Sequence, residues 1–192
     1  MAPFNALRAH NSEQHVNNRV IFLPFFCALF WAVQAQAIEQ EKFVYVSYAV
    51  PESYHHGRDS FTIDLSLKAT YADHGIQRLH ICQPDESYYC IYSTSFNFSI
   101  PKQGITVGDH WSTNDYNFKV LREETIELLG RKVLTYVISS CIEHGRTDHY
   151  YFSDQSGLVG IKFGAFDEHP ARFLVLTQKN GYLGKGDRKK IQ

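Results

Sequence analysis

A hairpin pattern between residues 148 and 163 constrains the fold more than any other feature of this sequence. Aromatic and β-branched runs flank a turn-forming segment, Asp154 to Gly157. Asp and Ser side chains in such a segment bond nearby backbone, and Gly157 can adopt the positive φ that closes the loop. The pattern therefore predicts two antiparallel strands joined by a short turn.

The N-terminal segment is typical of a secretory signal peptide. It is polar up to Arg19, carries no charge from Val20 to Val33, and ends in small residues at Ala35-Gln36-Ala37. A membrane-spanning helix needs about 20 apolar residues, and Pro24 interrupts this shorter run. We therefore predict a cleaved signal peptide over residues 1–37 and a periplasmic or secreted protein. Retention as an N-terminal anchor is the alternative.

The remaining chain is close to neutral. Without Arg8, Arg19 and Glu13, the 19 basic and 20 acidic residues become 17 and 19. This balance predicts no nucleic-acid partner and no binding to an anionic membrane surface. Once the signal peptide is removed, no stable membrane span is expected.

Aromatic and β-branched residues dominate residues 38–180 and predict an all-β single domain. We expect a curved antiparallel sheet or half-barrel built from consecutive hairpins. Residues 181–192 are rich in Gly and Lys and are predicted to form a flexible basic tail. Besides the hairpin at 148–163, strands are predicted over residues 43–50, 61–67, 76–83, 91–100, 116–129, 132–142 and 172–177, with a loop at 70–75.

A second clear hairpin is predicted around Gly130-Arg131, with Gly130 at the first central position of a type II′ turn. In that register Leu129 faces Lys132, and Cys141 lies opposite Val120. The charged segment from Arg122 to Glu124 interrupts the apolar pattern and predicts an exposed bulge or an ion pair.

Two cysteines, Cys82 and Cys90, surround a Pro-Asp-Glu-Ser turn. If that turn joins paired strands, the two cysteines lie opposite each other, at a Cα separation of about 4.5–5.5 Å. An exported chain is the setting in which such a bond persists. We therefore predict a Cys82–Cys90 disulfide. Two independent thiols, or a pairing that recruits Cys141, are the alternatives.

The sequence offers little support for catalysis. None of the eight histidines beyond residue 37 lies in a zinc-binding H-E-x-x-H pattern, and His55 and His56 with Asp59 form the least weak metal candidate. A G-x-S-x-G serine motif is also missing. Cys141 lies in an apolar strand, where a buried structural thiol is the commoner case. We predict no catalytic residue and no cofactor.

Aromatic side chains on predicted strands are the remaining candidates for a binding surface. Neighbouring residues of a strand point to opposite faces, so some tyrosines must lie away from the main core. An aromatic-lined concave sheet can bind an apolar ligand or a peptide strand. We name Tyr45, Trp111, Tyr136 and Tyr151 as candidate ligand-binding residues. Packing of these rings into the core is the alternative.

The export signal, the consecutive strands and the run from Tyr150 to Ile161 resemble uncharacterised exported envelope proteins of bacteria. Residues 105–177 are also distantly similar to the half-barrel lipoprotein carriers of the bacterial periplasm. The resemblance implies a curved sheet that cups an apolar ligand. We therefore expect an exported, non-enzymatic β-domain that binds a hydrophobic small molecule or an envelope protein. A metal-assisted or His/acid-dependent periplasmic hydrolase and a purely structural secreted domain remain alternatives.

Overall fold

The computed structural model describes residues 41–47, 60–72, 75–83, 86–142, 145–165 and 170–185. These residues all belong to one compact unit. The predicted signal peptide and the metal candidate His55, His56 and Asp59 lie outside the described residues.

The described residues form strands and turns, with no helix among them. The strands, in chain order, are β1 (Lys42–Ser47), β2 (Ser60–Asp64), β3 (Ala69–Ala72), β4 (Gly75–Arg78), β5 (His80–Ile81), β6 (Tyr88–Tyr92), β7 (Asn97–Pro101), β8 (His110–Thr113), β9 (Tyr116–Leu128), β10 (Arg131–Ile142), β11 (Thr147–Ser153), β12 (Gly157–Phe163) and β13 (Arg172–Leu176). None of these elements is an apolar helix long enough to cross a membrane.

Ten strands form one antiparallel sheet in the order β4-β3-β2-β1-β13-β12-β11-β10-β9-β8, and β5-β6-β7 form a small second sheet. The first and last strands pair, with Tyr45 opposite Leu176, and this pair joins two runs of consecutive hairpins. The large sheet is open, because β4 and β8 are its two edges. The prediction of an all-β fold built from antiparallel hairpins is confirmed.

The small sheet packs on one face of the large sheet through aromatic rings. Phe98 of β7 lies 5.2 Å from Tyr150, 6.1 Å from Phe152 and 6.2 Å from Tyr182, measured between ring centroids. All four side chains are at most 1% exposed. Burial of such rings is the largest favourable contribution available to a domain of this size.

The opposite face of the large sheet carries a smaller apolar layer. Tyr151 follows Tyr150 on β11 and therefore points away from the main core, where its ring lies 4.9 Å from Phe173. Gly160, opposite Tyr151, makes room for this contact, because a Cβ there would lie 3.2 Å from the Phe173 ring. The sheet therefore buries aromatic residues on both faces.

The hairpin predicted at residues 148–163 is formed by β11 and β12, and Ser153 pairs with Gly157. Gly157 has a φ of 74°, as the turn pattern requires. A Cβ at Gly157 would lie 2.3 Å from the Tyr182 carbonyl oxygen. The glycine therefore also permits the C-terminal segment to pack on the turn, which the local pattern does not reveal.

The second hairpin forms, but its predicted register is wrong. Arg131 pairs with Leu128, so Leu129 and Gly130 are the two turn residues, with φ of 52° and 73°. Two positive φ values define a type I′ turn, whose twist matches that of the strands. The shift in the turn and a bulge between Val137 and Ile138 place Cys141 opposite Asn117.

Charged residues follow the bulge on β9. Leu121 has no partner in the ladder, and the next residue, Arg122, forms an ion pair with Glu124 at 2.6 Å. Of the two alternatives predicted for this segment, the ion pair forms within it, whereas the bulge lies one residue before it, at Leu121. The pair is exposed and contributes little to stability.

Two predicted strands are each divided between elements. The segment 76–83 bends at buried Leu79, so β4 joins the large sheet and β5 the small one. The segment 91–100 turns back at Ser93, whose N–H donates to the Phe96 carbonyl, and forms the β6–β7 hairpin. The loop predicted at 70–75 contains most of β3 and the start of β4. The segments 76–83 and 91–100 contain no Gly or Pro that would mark these boundaries.

The strand predicted over residues 61–67 ends at Asp64, because the Asp64 carboxylate accepts hydrogen bonds from the Ser66 hydroxyl and the Leu67 N–H. The Ser66 hydrogen bond also lowers the pKa of Asp64. Thr62 and Asp64 are buried although they alternate with apolar residues. The alternation therefore does not mark a solvent-exposed face here.

The C-terminal segment differs from the predicted flexible tail. Tyr182 and Leu183 are at most 1% exposed, the Gly181 N–H donates to the Ser156 carbonyl at 2.7 Å, and the Lys185 N–H donates to the Gln155 carbonyl at 3.1 Å. Residues 181–185 therefore belong to the folded domain. The other residues of the predicted tail lie outside the described part of the chain.

The Cys82–Cys90 disulfide is confirmed. The Cα atoms are 5.2 Å apart, and the Cys82 N–H donates to the Cys90 carbonyl, so the two residues lie opposite each other as predicted. Cys141 is a free thiol.

Replacing both Cys82 and Cys90 by serine is expected to lower the free energy of unfolding by about 2–3 kcal/mol, because the bond closes a short loop. Urea unfolding of the double variant and of the parent chain, each with and without reductant, measures this effect. Reductant should destabilise only the parent. Equal sensitivity of both proteins to reductant would contradict the prediction.

Candidate functional site

A cleft of about 370 Å³ lies where the end of the small sheet meets the edge strand β8. Its volume is sufficient for one small molecule. Aromatic rings and uncharged polar groups line it together with one acid and one histidine. The lining residues are Tyr88, Pro101, Gln103, Gly104, Gly108, Asp109, His110 and Trp111.

The loop that leads into β8 is held firmly against the neighbouring strand β9. The Gly108 N–H donates to the Val120 carbonyl at 3.0 Å, and the Val120 N–H donates to the Asp109 carbonyl at 2.9 Å. The Asp109 carboxylate accepts the Thr106 N–H at 2.7 Å. Gly108 has a φ of 96°, a backbone angle that residues other than glycine rarely adopt. This wall of the cleft is therefore preformed.

Trp111 is the most informative residue of the cleft. Its ring stacks on Phe118 of β9, with 5.5 Å between centroids and an interplanar angle of 6°. The side chain is 6% exposed, and its Nε1 atom is buried without a hydrogen-bond partner in the described part of the chain. The Nε1 atom has almost no accessible surface, so Trp111 lines the cleft through other atoms of the residue.

The four aromatic residues named from the sequence are not brought together. Trp111 lines the cleft, whereas Tyr45 is fully buried in the core, where its hydroxyl donates to the Leu158 carbonyl at 3.0 Å. Tyr151 packs on the opposite face, and Tyr136 is half-buried opposite Glu123. Only Trp111 remains a candidate for this site.

Sequence reasoning did not identify the other walls of the cleft. Tyr88, Gln103 and His110 lie on a hairpin strand, a turn and an edge strand within one stretch of the chain, residues 88–110. The single local signal is the glycine-rich run around Gly104 and Gly108, which predicted a loop. A cleft between two sheets depends on their packing, which periodicity does not encode.

A second, smaller groove of about 190 Å³ lies on the other face, between Ile126, Glu127, Phe173 and Val175. It adjoins Tyr151 through the Tyr151–Phe173 ring contact. The groove is almost entirely apolar. It offers Glu127 as the single polar side chain that could orient a ligand.

A buried carboxylate with an arginine partner lies away from the cleft, in the core. The Asp148 carboxylate is 3% exposed and pairs with Arg146 through two oxygen atoms, at 2.7 and 2.8 Å. It also accepts the Gly164 N–H at 2.9 Å. Burial raises the pKa of Asp148, and the hydrogen bonds and charge of Arg146 oppose that rise. This arrangement connects two chain segments and exposes no reactive atom.

One group of three potential metal-binding side chains occurs among the described residues: Cys82, Glu86 and Cys90. The two sulfur atoms are joined in the disulfide, and Glu86 accepts the Gln83 N–H at 3.3 Å. Cysteine binds zinc as a thiolate, so the oxidised pair does not fit a metal site.

Comparison with known proteins adds no identity. The chain matches no family model, no curated protein and no solved structure. The fold and the cleft define an open antiparallel β-sheet domain with a cleft of ligand size at a sheet edge.

Proposed function

We propose that this domain is an exported, non-catalytic binding module that holds a small, partly apolar molecule in the cleft beside β8. The observation that carries the proposal is the cleft of about 370 Å³, whose wall at β8 includes Trp111 and is held in place by backbone hydrogen bonds to β9. A binding site combines apolar surface with a few fixed polar groups, and Tyr88, Pro101 and Gln103 supply the rest of that combination.

Export is supported by the disulfide, since such bonds persist in oxidising compartments. The lipoprotein-carrier resemblance and the signal peptide stay predictions. The apolar groove at Phe173 and Val175 is the weaker candidate for a ligand, because it is smaller and has fewer polar groups to orient one.

Native mass spectrometry of the full chain, purified from its own host without denaturation, tests the proposal. We expect a retained small molecule. Gln103→Tyr, which adds a ring at an exposed wall position, should lower its occupancy roughly tenfold or more by steric exclusion. Thr125→Tyr, which adds the same ring at an exposed position of the β9–β10 hairpin, is the matched control and should retain the ligand.

Loss of the ligand from both variants, or from neither, would contradict a site in this cleft. Absence of any bound molecule in the parent protein would contradict the function itself.

A further inference from the structure

The cleft beside β8 carries charge of one sign. Among the eight described residues that line it, Asp109 is the single acid, and none is a lysine or an arginine. The other polar side chains that line it include Gln103 and His110. With histidine neutral at pH 7, the lining residues therefore carry one net negative charge, at Asp109.

Asp109 is held in place by the turn that it ends. Its Oδ2 atom accepts the Thr106 N–H at 2.7 Å, and its own N–H donates to the Thr106 carbonyl at 3.2 Å. A carboxylate has about four acceptor positions on its two oxygen atoms, and Asp109 is an exposed residue. The carboxylate can therefore keep its hydrogen bond to the turn and still accept hydrogen bonds from a ligand.

The neighbouring lysines do not neutralise this charge. Lys102 lies over the Tyr89 ring, 5.5 Å from its centroid, and Tyr89 points away from the face of β6 that carries Tyr88. Lys119 lies opposite His110 in the β8–β9 ladder and does not line the cleft. Asp109 forms no ion pair within the described part of the chain.

Apolar surface lies in the same cleft as the carboxylate. Tyr88 pairs with Pro101 across β6 and β7, so the two residues share one face of the small sheet, and both line the cleft. Tyr88 is half-buried. The face of an aromatic ring attracts a cation as well as apolar groups. This wall therefore suits the body of a positively charged organic molecule.

These features select among three kinds of ligand. An anion would be repelled by Asp109, with no basic side chain in the lining to offset the repulsion. A neutral molecule would displace water from the carboxylate without supplying a charge. An organic cation would pair with Asp109 and place its apolar body on Tyr88 and Pro101. Gln103 does not discriminate, because an amide both donates and accepts hydrogen bonds.

We propose that the ligand of this cleft is an organic cation, an ammonium group on an apolar body, and that the ammonium binds the Asp109 carboxylate. This inference rests on the proposed function, because it names the class of molecule that the same cleft holds. The competing explanation is that Asp109 serves only to hold the turn at residues 106–109.

Three probes of the same shape test the charge of the ligand. Cyclohexylamine is a cation at pH 7, cyclohexanol is neutral and cyclohexanecarboxylate is an anion. Trp111 supplies the readout, since the chain has two tryptophans and Trp31→Phe leaves Trp111 alone. In titrations of the full chain with this change, the amine should bind about fivefold to tenfold more tightly than the alcohol. The carboxylate should bind more weakly than either. High salt should reduce the preference for the amine.

Asp109→Asn separates the charge of this residue from its role in the turn, because the asparagine amide oxygen can still accept the Thr106 N–H. The variant should keep the melting temperature of the parent within about 2 °C, lower the affinity for the amine about fivefold and leave the affinity for the alcohol unchanged. Asp115→Asn is the matched control. It removes an exposed acid from the β8–β9 turn, at a φ of 64° that asparagine tolerates, and should leave all three affinities unchanged.

An amine preference that survives in Asp109→Asn, or that falls equally in Asp115→Asn, would overturn the proposal. Equal or tighter binding of the alcohol or the carboxylate by the parent would also overturn it. If Gln103→Tyr abolishes that binding, the cleft function stands and only the cationic class is wrong. Absence of a response to all three probes overturns the cationic class, whereas mass spectrometry of the host-purified protein decides the proposed function separately.

Discussion

Replacement of Arg146 by methionine is expected to lower the free energy of unfolding by about 3 kcal/mol at neutral pH. Asp148 would then be a buried carboxylate without its bidentate partner. Arg146 also donates to the Ser95 carbonyl at 2.8 Å and lies over the Phe163 ring at 5.0 Å. Methionine preserves much of the packing on the ring, so the loss reports mainly on the unpaired charge. Because Arg146 is partly exposed, the expected value is at the low end for buried pairs.

The destabilisation should depend on pH in a defined direction. The pKa of Asp148 is raised in the folded state, mainly by burial. Between the unfolded and folded pKa values the folded state therefore binds more protons, so the stability contributed by this group falls as pH rises through that window. Removal of Arg146 removes the charge that opposes the rise and widens the window toward neutral pH. The variant should lose more stability than the parent between pH 4 and pH 7.

Urea unfolding at pH 4, 5.5 and 7 measures this difference. Arg146→Met combined with Asp148→Asn is the control, because it removes the titrating group and should show little extra dependence on pH. The double variant should also be more stable at pH 7 than Arg146→Met alone. A pH-independent loss in the single variant would contradict a buried, unpaired carboxylate and would indicate lost packing instead.

The parts of the fold that could be predicted are those that depend on residues close together in the sequence. The β11–β12 turn and the Cys82–Cys90 bond depend on short segments, in which residue type and spacing nearly fix the geometry. The β9–β10 hairpin shows the limit of that reasoning. Its existence was predictable, but Leu129 occupies a positive-φ turn position that its residue type does not favour. The twist of the long strands β9 and β10 favours a type I′ turn at Leu129 and Gly130. That turn sets the register, in which Arg131 pairs with Leu128.

Long-range packing determines what could not be predicted. Leu79 bends the chain from one sheet to the other because its side chain enters the shared core at 1% exposure, and its neighbours carry no turn signal. The cleft arises in the same way, since Tyr88 and Trp111 meet through the packing of two sheets. Trp111 was predictable only as an aromatic candidate, because it lies outside the strands predicted from the sequence. Its unpaired N–H is a property of the folded molecule.

The C-terminal segment gives the clearest contrast between composition and structure, and its test is direct. Tyr182→Ala is expected to lower the free energy of unfolding by about 3–5 kcal/mol, a large part of the stability of a domain of this size. The ring contacts Phe43 and Phe98 edge-on, at 6.3 and 6.2 Å between centroids, and it is 1% exposed. Its truncation leaves a cavity between the sheets that rigid strands cannot fill.

Tyr182→Phe is the matched control, because it keeps the ring and removes only the hydroxyl, and it should cost no more than about 1.5 kcal/mol. Gly181→Ala tests the path of the chain independently, since a Cβ there would lie 1.8 Å from the Leu158 carbonyl oxygen and must displace backbone. Urea unfolding should give Tyr182→Ala and Gly181→Ala a much lower free energy of unfolding than the control Tyr182→Phe. A flexible tail predicts instead that all three match the parent within about 0.5 kcal/mol, as exposed surface substitutions do. That outcome would show that Tyr182 does not pack in the core. It would support the flexible tail that the Gly- and Lys-rich composition predicts.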